Sequence, residues 1–380
     1  MINRDIRDFA KMCLGYFYKV KYFWMQRFGH EIDLSVAEAT KIVSNLDIEQ
    51  NSSIKANNKI NKVFDLMIVI PAYNCENSIE KCIDSVIDQK TTYKIETVIV
   101  NDGSTDNTAK ILEKYQNKDN IRIITQSNQG FSGARNTALQ NITGKYIFFL
   151  DSDDYIPSNT AMQDLLDLGI ENDADIVEGA AFSFYYDNGK IKKNRDMVHA
   201  YEGKVHTSTD MMGYPWGKIY KAELFKDIKF PDSLWFEDTI ISLLLYPETT
   251  KKFISNKLVY AYQVNFEGIS HTFKGKEKTI DTYLVTDLII KELSKRNLIN
   301  IETERLFLNQ MAMNYCRLKG LSSKINDAVI VLSINLYQKY FQRESENKLL
   351  TKKQTDLKNA IKKNDIKRIN ALLNCWNYLR

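Results

Sequence analysis

Four short, predominantly apolar runs, at residues 66–70, 97–100, 121–125 and 146–150, alternate with stretches of helical spacing, and this alternation limits the fold more than any other feature of the chain. A strand that is apolar at successive positions has to be covered on both faces. That is the setting of a parallel strand with helices packed above and below it. Ile79, Cys82, Ile83, Val86 and Ile87 mark one face of an amphipathic helix between the first two runs. A polar helix is expected to about Tyr115, and another around residues 134–139. The chain is therefore expected to hold an α/β domain with a mostly parallel sheet. In such sheets ligands bind beyond the carboxyl ends of the strands, which here are Pro71, the turn Asn101-Asp102-Gly103, and Asp151.

Helical patterns flank this block. The expected division of the 380 residues is a helical N-terminal extension and linker at 1–62, the α/β domain at 63–272 and a helical C-terminal region at 273–380. Phe9, Met12, Cys13, Tyr16, Val20, Phe23 and Trp24 form one apolar stripe, and residues 47–62, rich in Asn, Ser and Lys, read as the linker. The C-terminal end carries Lys352, Lys353, Lys358, Lys362, Lys363, Lys367 and Arg368. Both flanks suit a membrane surface, a subunit contact or packing on the rest of the chain. The net charge of +4 is too small to indicate nucleic acid, and no recognition motif for it is present. Five scattered cysteines without close pairs point to a reducing cytosol. No apolar run is long enough to span a bilayer and no secretory signal is evident, so a cytoplasmic place is expected, free or peripheral at the inner face of the plasma membrane.

Polar residues with chemical potential gather where the strands end. Tyr73, in Pro71-Ala72-Tyr73-Asn74, can stack on a base, although an ordinary turn would explain the segment by itself. In Asn101-Asp102-Gly103-Ser104-Thr105-Asp106, the last three residues can cap the next helix, and Asp102 is left over. A carboxylate there can accept the imide N–H of uracil or thymine and would reject cytosine. Gly130-Phe131-Ser132-Gly133-Ala134-Arg135-Asn136 leads two glycines into a helix, with Arg135 able to reach a base carbonyl or a phosphate. Asp151-Ser152-Asp153-Asp154 gathers three carboxylates, and a divalent cation is the simplest reason to bring like charges together. Asp153 would hold that cation, and Asp151 could reach a ribose. Farther on, Trp216-Gly217-Lys218 is a glycine-bearing aromatic loop. Glu237-Asp238 opens an apolar helix, where Asp238 can serve as general base and Glu237 can position it or the acceptor. His271, one of four histidines, could complete a metal shell.

These segments, in this order, resemble glycosyltransferase family 2, the enzymes of GT-A (Rossmann-like) fold. The likeness runs from Phe64 to His271. It rests on Ile68-Val69-Ile70-Pro71-Ala72-Tyr73-Asn74, on Val100 to Asp106, on the glycine-rich stretch ending Ala134-Arg135-Asn136, on Asp151 to Asp154, and on Glu237-Asp238. The resemblance implies an inverting, metal-dependent transfer of one sugar from a UDP-sugar to an acceptor hydroxyl. It further implies Mn²⁺ or Mg²⁺ as cofactor and a surface glycan, teichoic acid or glycoprotein as acceptor. The donor nucleotide would lie on Pro71, Tyr73, Asn74, Asp102, Arg135, Asp151 and Ser152; Asp153 and His271 would hold the metal; Asp238 and Glu237 would serve catalysis. Two other readings stay open at this level. A sugar nucleotidyltransferase shares a similar fold but carries a basic glycine-rich loop where this chain has Pro71-Ala72-Tyr73-Asn74. A non-catalytic scaffold would have no need of Asp153 and Asp238.

Overall fold

The computed structural model describes residues 17–18, 21–27, 31–46, 52–341 and 349–378. Most of the expected N-terminal stripe, Phe9, Met12, Cys13, Tyr16 and Val20, lies outside these residues. The chain divides into two compact units, Asn51–Gly268 and a second formed by Met1–Gln50 together with Ile269–Arg380. This differs from the three consecutive parts expected from the sequence. The helix Val36–Ser44 groups with the C-terminal helices, and the α/β unit begins earlier and ends slightly earlier.

The α/β unit is built on a sheet of nine strands: β1 (Lys59–Ala72), β2 (Ile95–Asn101), β3 (Ile121–Thr125), β4 (Asn141–Phe149), β5 (Ile176–Asp187), β6 (Lys190–Met197), β7 (Gly203–Lys204), β8 (Lys218–Lys221) and β9 (Lys252–Gln263). Their order is β3-β2-β1-β4-β8-β5-β9-β7, with β6 pairing on β5. The first four are parallel, as the apolar runs demand; Leu66, Met67, Ile68, Val69 and Ile70 are all fully buried. Beyond β4 the sheet is mixed, because β8 runs antiparallel to both β4 and β5, while β9 is parallel to β5. β1 starts four residues inside the expected linker. Lys59 and Ile60 pair with Asn141 and Ile142, and the Asn58 side chain donates to the carbonyls of Phe225 and Ile228. A buried amide with two carbonyl partners is anchored backbone, which a linker would not have.

Register then fixes the site. Ala72 lies opposite Asn101, and Val69 opposite Phe149. The carboxyl ends of β2, β1 and β4 therefore emerge side by side at one end of the sheet, β4 stopping three residues short of β1. Beneath them Phe149 packs edge-on against Tyr220, Phe225 and Phe230, with centroids 5.4–5.9 Å apart.

The second unit is helical: Val36–Ser44, Asp281–Lys295, Ile301–Arg317, Ser323–Tyr340, Lys352–Lys362 and Ile366–Cys375. Ser35 caps the first of these reciprocally with Glu38, and Thr351 caps Lys352–Lys362 with Gln354. The basic C-terminal face expected from the sequence is partly consumed within the unit. Lys358 is buried against Glu304 at 3.1 Å, Lys367 reaches Glu31 at 2.6 Å, Arg368 reaches Asp356 at 3.1 Å, and Lys353 lies over the Trp376 ring. Lys352, Lys362 and Lys363 stay exposed, as do Phe23 and Trp24 of the N-terminal stripe. Among the described residues no helix is long and apolar enough to cross a membrane.

Candidate active site

The turns at the sheet edge are knitted to one another. Asn74 adopts left-handed backbone (φ 46°), a conformation asparagine tolerates better than most residues. Its N–H donates to Ser104 Oγ at 3.0 Å and its Oδ1 accepts from the Thr105 amide at 2.8 Å. Gly103 (φ 74°) lies so close to the next turn that a Cβ would sit 2.9 Å from the Asn128 nitrogen. Asp106 accepts from the Thr108 and Glu76 amides, the capping role open to it from the sequence.

Asp102 is only 2% exposed. Its Oδ1 accepts from Gln126 Nε2 at 2.7 Å and from the Gln129 amide at 2.9 Å. No described residue donates to Oδ2, so an orientated carboxylate oxygen is left for a ligand. Tyr73, half exposed, stands at the end of β1 close by in sequence to these contacts.

The acidic turn divides its three carboxylates among different tasks. Asp154 is buried and structural: Tyr260 Oη donates to Oδ2 at 2.6 Å and the Gln263 amide to Oδ1 at 2.6 Å. Burial, and then the charges of Asp153 and Asp151, push its carboxyl well above the usual range. Asp151 accepts from Arg135 Nη2 at 2.7 Å, and its amide donates to Tyr260 Oη at 3.1 Å. Ser152 hydrogen-bonds the Cys75 thiol. Asp153 has no side-chain partner among the described residues; burial and the Asp151 charge push its carboxyl up to about 6.

The residues at hand fit a divalent cation in one specific way. No three His, Cys, Asp or Glu side chains of the described residues converge into a cage. A half-buried carboxylate with an anionic neighbour and no protein cation is, however, what Mg²⁺-type sites offer when substrate phosphates and water supply the other ligands. Asp153 meets that description and Asp154 does not. His271 stands in the helical unit, in the turn Ile269–Thr272.

The helix Gly130–Leu139 joins this turn to the Glu237-Asp238 segment. Arg135 is buried, with Nη2 on Asp151 and Nη1 on Glu237 Oε1, each at 2.7 Å. Both arms of its fork are thus engaged by carboxylates, where the sequence reading assigned it to the nucleotide. Asn136, next to it, makes a reciprocal pair with Phe230, donating to its carbonyl and accepting from its amide at 2.9 Å each. Those bonds fix the strand of chain that leads to Glu237. Phe236, just before it, is held at φ 63°, an uncommon conformation for a bulky residue. Burial pushes the Glu237 carboxyl up to about 7, while Arg135 pulls it back and Asp238 pushes it further. Asp238 is partly exposed and lies three residues before a five-residue π-helical turn, Ile241–Leu245, a rare local form that recurs at functional sites.

Sequence reasoning did not single out Tyr260, Gln126, Gln129 or Asn136 for these roles. Asn136 and Gln129 carried a signal, their place in or beside the glycine-rich stretch; Gln126 and Tyr260 carried none, since their partners lie 24 to 109 residues away.

The sequence profile described as Glycosyl transferase family 2 matches residues 67–229. The chain is 36% identical over 227 residues to the glycosyltransferase GlyA of Streptococcus pneumoniae, spanning 56% of this chain and 32% of that protein. It is 34% identical over 219 residues to the glycosyltransferase EpsJ of Bacillus subtilis, spanning 52% and 60%. It is 30% identical over 270 residues to the poly(ribitol-phosphate) beta-N-acetylglucosaminyltransferase TarS of Staphylococcus aureus, spanning 68% and 46%. The chain thus spans from about a third to three fifths of the length of these relatives. In three dimensions it is similar to the crystal structure of S. aureus TarS 1–349 in complex with UDP-GlcNAc, with a TM-score of 0.55, 21% identity and coverage of 82% of this chain and 91% of that one. With its strand-end carboxylates and its mixed and mostly parallel sheet, the chain has the GT-A fold, and its residues 67–229 match glycosyltransferase family 2.

Proposed function

We propose that the protein transfers one sugar from a UDP-sugar to a hydroxyl of a surface glycan, teichoic acid or glycoprotein, with a divalent cation and inversion at the anomeric carbon. The observation that carries this reading is Arg135, whose two arms bind Asp151 and Glu237 and so unite the acidic turn and the base segment in one site. Asp102 Oδ2 would accept the uracil imide N–H while Tyr73 covers the base. Asp151, Ser152 and the backbone around Pro71 and Asn74 would line the ribose and phosphates. Asp153 would hold Mn²⁺ or Mg²⁺, which when bound offsets the negative charge that grows on the departing diphosphate.

Asp238 would take the proton of the acceptor hydroxyl as that oxygen attacks the anomeric carbon from the face opposite the leaving UDP. Bond making to oxygen and bond breaking to the diphosphate then occur in one displacement, and no covalent nucleophile is required. Glu237, tied to Arg135, keeps the segment bearing Asp238 in place. A uridine donor is supported by the UDP-GlcNAc bound to the TarS relative, and a surface-polymer acceptor by that relative's poly(ribitol-phosphate) substrate. The test is nucleotide release from a panel of UDP-, dTDP- and GDP-sugars with Mn²⁺. Release from one UDP-sugar, abolished in Asp153→Ala, is the expected result; metal-independent release, or release unchanged in that variant, would refute the cation role.

A further inference from the structure

The loop of residues 211–217 has an exposed tip and a buried, polar anchorage. Four fully buried polar side chains anchor its backbone. Glu178 accepts from the Met212 amide at 3.0 Å, the Tyr246 hydroxyl donates to the Met212 carbonyl, the Tyr220 hydroxyl donates to the Pro215 carbonyl at 2.9 Å, and Lys218 Nζ donates to the Trp216 carbonyl at 3.1 Å. Lys218 and Glu178 also form a buried ion pair at 2.7 Å. Burying two charges and two hydroxyls is costly unless each is satisfied, and here their satisfaction fixes one short loop.

What the loop displays is a stack of aromatic rings. Tyr214 lies parallel to Trp216 at 4.8 Å, and Trp216 lies parallel to Tyr260 at 4.5 Å. The inner end of the stack is Tyr260, whose hydroxyl binds Asp154 and the Asp151 amide. The outer end is Tyr214, 47% exposed, with no hydrogen-bond partner for its hydroxyl among the described residues. On its other side the loop meets the helix that follows Asp238: a Cβ on Gly213 would stand 3.6 Å from the Ser242 side chain. Through Tyr260 the loop therefore backs the acidic turn that would hold the donor, and at Gly213 it lies beside the helix that follows the would-be base. An acceptor has to lie between those two.

We infer that the outer face of Tyr214 is the platform on which a pyranose ring of the acceptor stacks. This inference rests on the glycosyltransferase reading. A pyranose with axial ring hydrogens offers an apolar C–H face rimmed by hydroxyls, and an aromatic ring with a free hydroxyl at its edge matches both parts. The stack behind Tyr214 fixes the ring's tilt, so the platform is pre-formed and little side-chain freedom is lost on binding.

Saturation-transfer NMR on the full chain, with UDP and Mn²⁺ present, tests it directly. The probes are the methyl β-glycosides of glucose and N-acetylglucosamine, with ribitol as the open-chain control. The expected result is saturation of H1, H3 and H5 of a glycoside, reduced by about tenfold in Tyr214→Ala and largely kept in Tyr214→Phe. UDP and UDP-GlcNAc affinities, measured by calorimetry, stay within about twofold in both variants. Ring saturation that is absent in the wild type, or equal in Tyr214→Ala, or matched by ribitol, overturns the inference. Weaker UDP or UDP-GlcNAc binding in Tyr214→Ala also overturns it, since the ring would then serve the donor. Failure of the wild type to bind UDP, alongside Tyr214-dependent glycoside saturation, would refute the donor reading and leave the platform standing.

Discussion

At Asp102 a single oxygen atom would carry the choice of nucleotide under the proposed function. Oδ1 is spent on Gln126 and Gln129, and an asparagine in its place would keep both of those bonds through its own carbonyl. The other position would change from an acceptor to an N–H₂ donor and would face the imide N–H of uracil. Asp102→Asn should therefore fold normally and bind UDP about 10- to 100-fold more weakly, the worth of a hydrogen bond to a charged group. CDP, which presents an acceptor there, should gain relative to UDP. Parallel titrations of both nucleotides by calorimetry check this, and an unchanged UDP to CDP ratio would contradict the assignment. Asp153 gives a second residue-level consequence, with a sign. Its carboxyl moves from 3.8 to about 6 on folding, so the native state favours the protonated form. Stability from this group is complete below pH 4 and is lost as pH rises through 6. In metal-free protein, Asp153→Asn should flatten the decline between pH 4 and pH 7 by at most about 3 kcal/mol, less to the extent that water screens the half-buried group. Urea unfolding of both proteins in chelator across that range measures it.

One helix does most of the joining. Gly130–Leu139 holds the acidic turn through Arg135 and the approach to Glu237 through both Arg135 and Asn136. Arg135→Lys cannot reach two carboxylates with one ammonium, and one of them would stay buried and unpaired. Turnover should fall about 100-fold or more, with UDP affinity less affected because Asp102 and Tyr73 are untouched. Steady-state kinetics beside UDP titration separates the two effects; equal losses in both would place Arg135 on the nucleotide. Asn136→Ala removes the two bonds that fix Phe230 and should cost about 1–3 kcal/mol of stability, read from urea midpoints. The alternation of elements made a helix legible after β3, at residues 134–139, and the structure starts it four residues earlier, at Gly130. Its role was not legible. The partners of Arg135 lie 16 and 102 residues away, and a one-dimensional pattern holds no information on which distant carboxylate a buried guanidinium will meet.

At the scale of the molecule, the apolar runs made the parallel half of the sheet readable, because burial on both faces leaves its mark in each strand. The mixed half was much less legible. β8 is four residues long and β7 two, too short for any periodicity, and their pairing depends on crossovers that local sequence does not encode. The two-unit division was hidden for a related reason. Ala39 and Val43, the buried face of Val36–Ser44, find their partner in Ser323–Tyr340, almost three hundred residues on. Removing residues 1–46 should accordingly strip the cover from that helix, so that limited proteolysis cuts within 281–340 at protease levels the full chain resists, while UDP binding by the α/β unit persists. Intact 281–340 in the truncated protein would show that the N-terminal helix contributes little.

The clamped loop on the mixed half of the sheet also bears on how such a protein can be retailored. Its tip is exposed, its ends are pinned by side chains that never meet solvent, and the residues proposed to bind the nucleotide lie in the turns after other strands. Tyr214 and its immediate neighbours thus behave as an exchangeable cassette. With Tyr214 as the acceptor platform, a lineage, or an engineer, would draw new acceptors from the same scaffold by altering the tip alone, provided that Glu178, Lys218, Tyr220 and Tyr246 are left as they are.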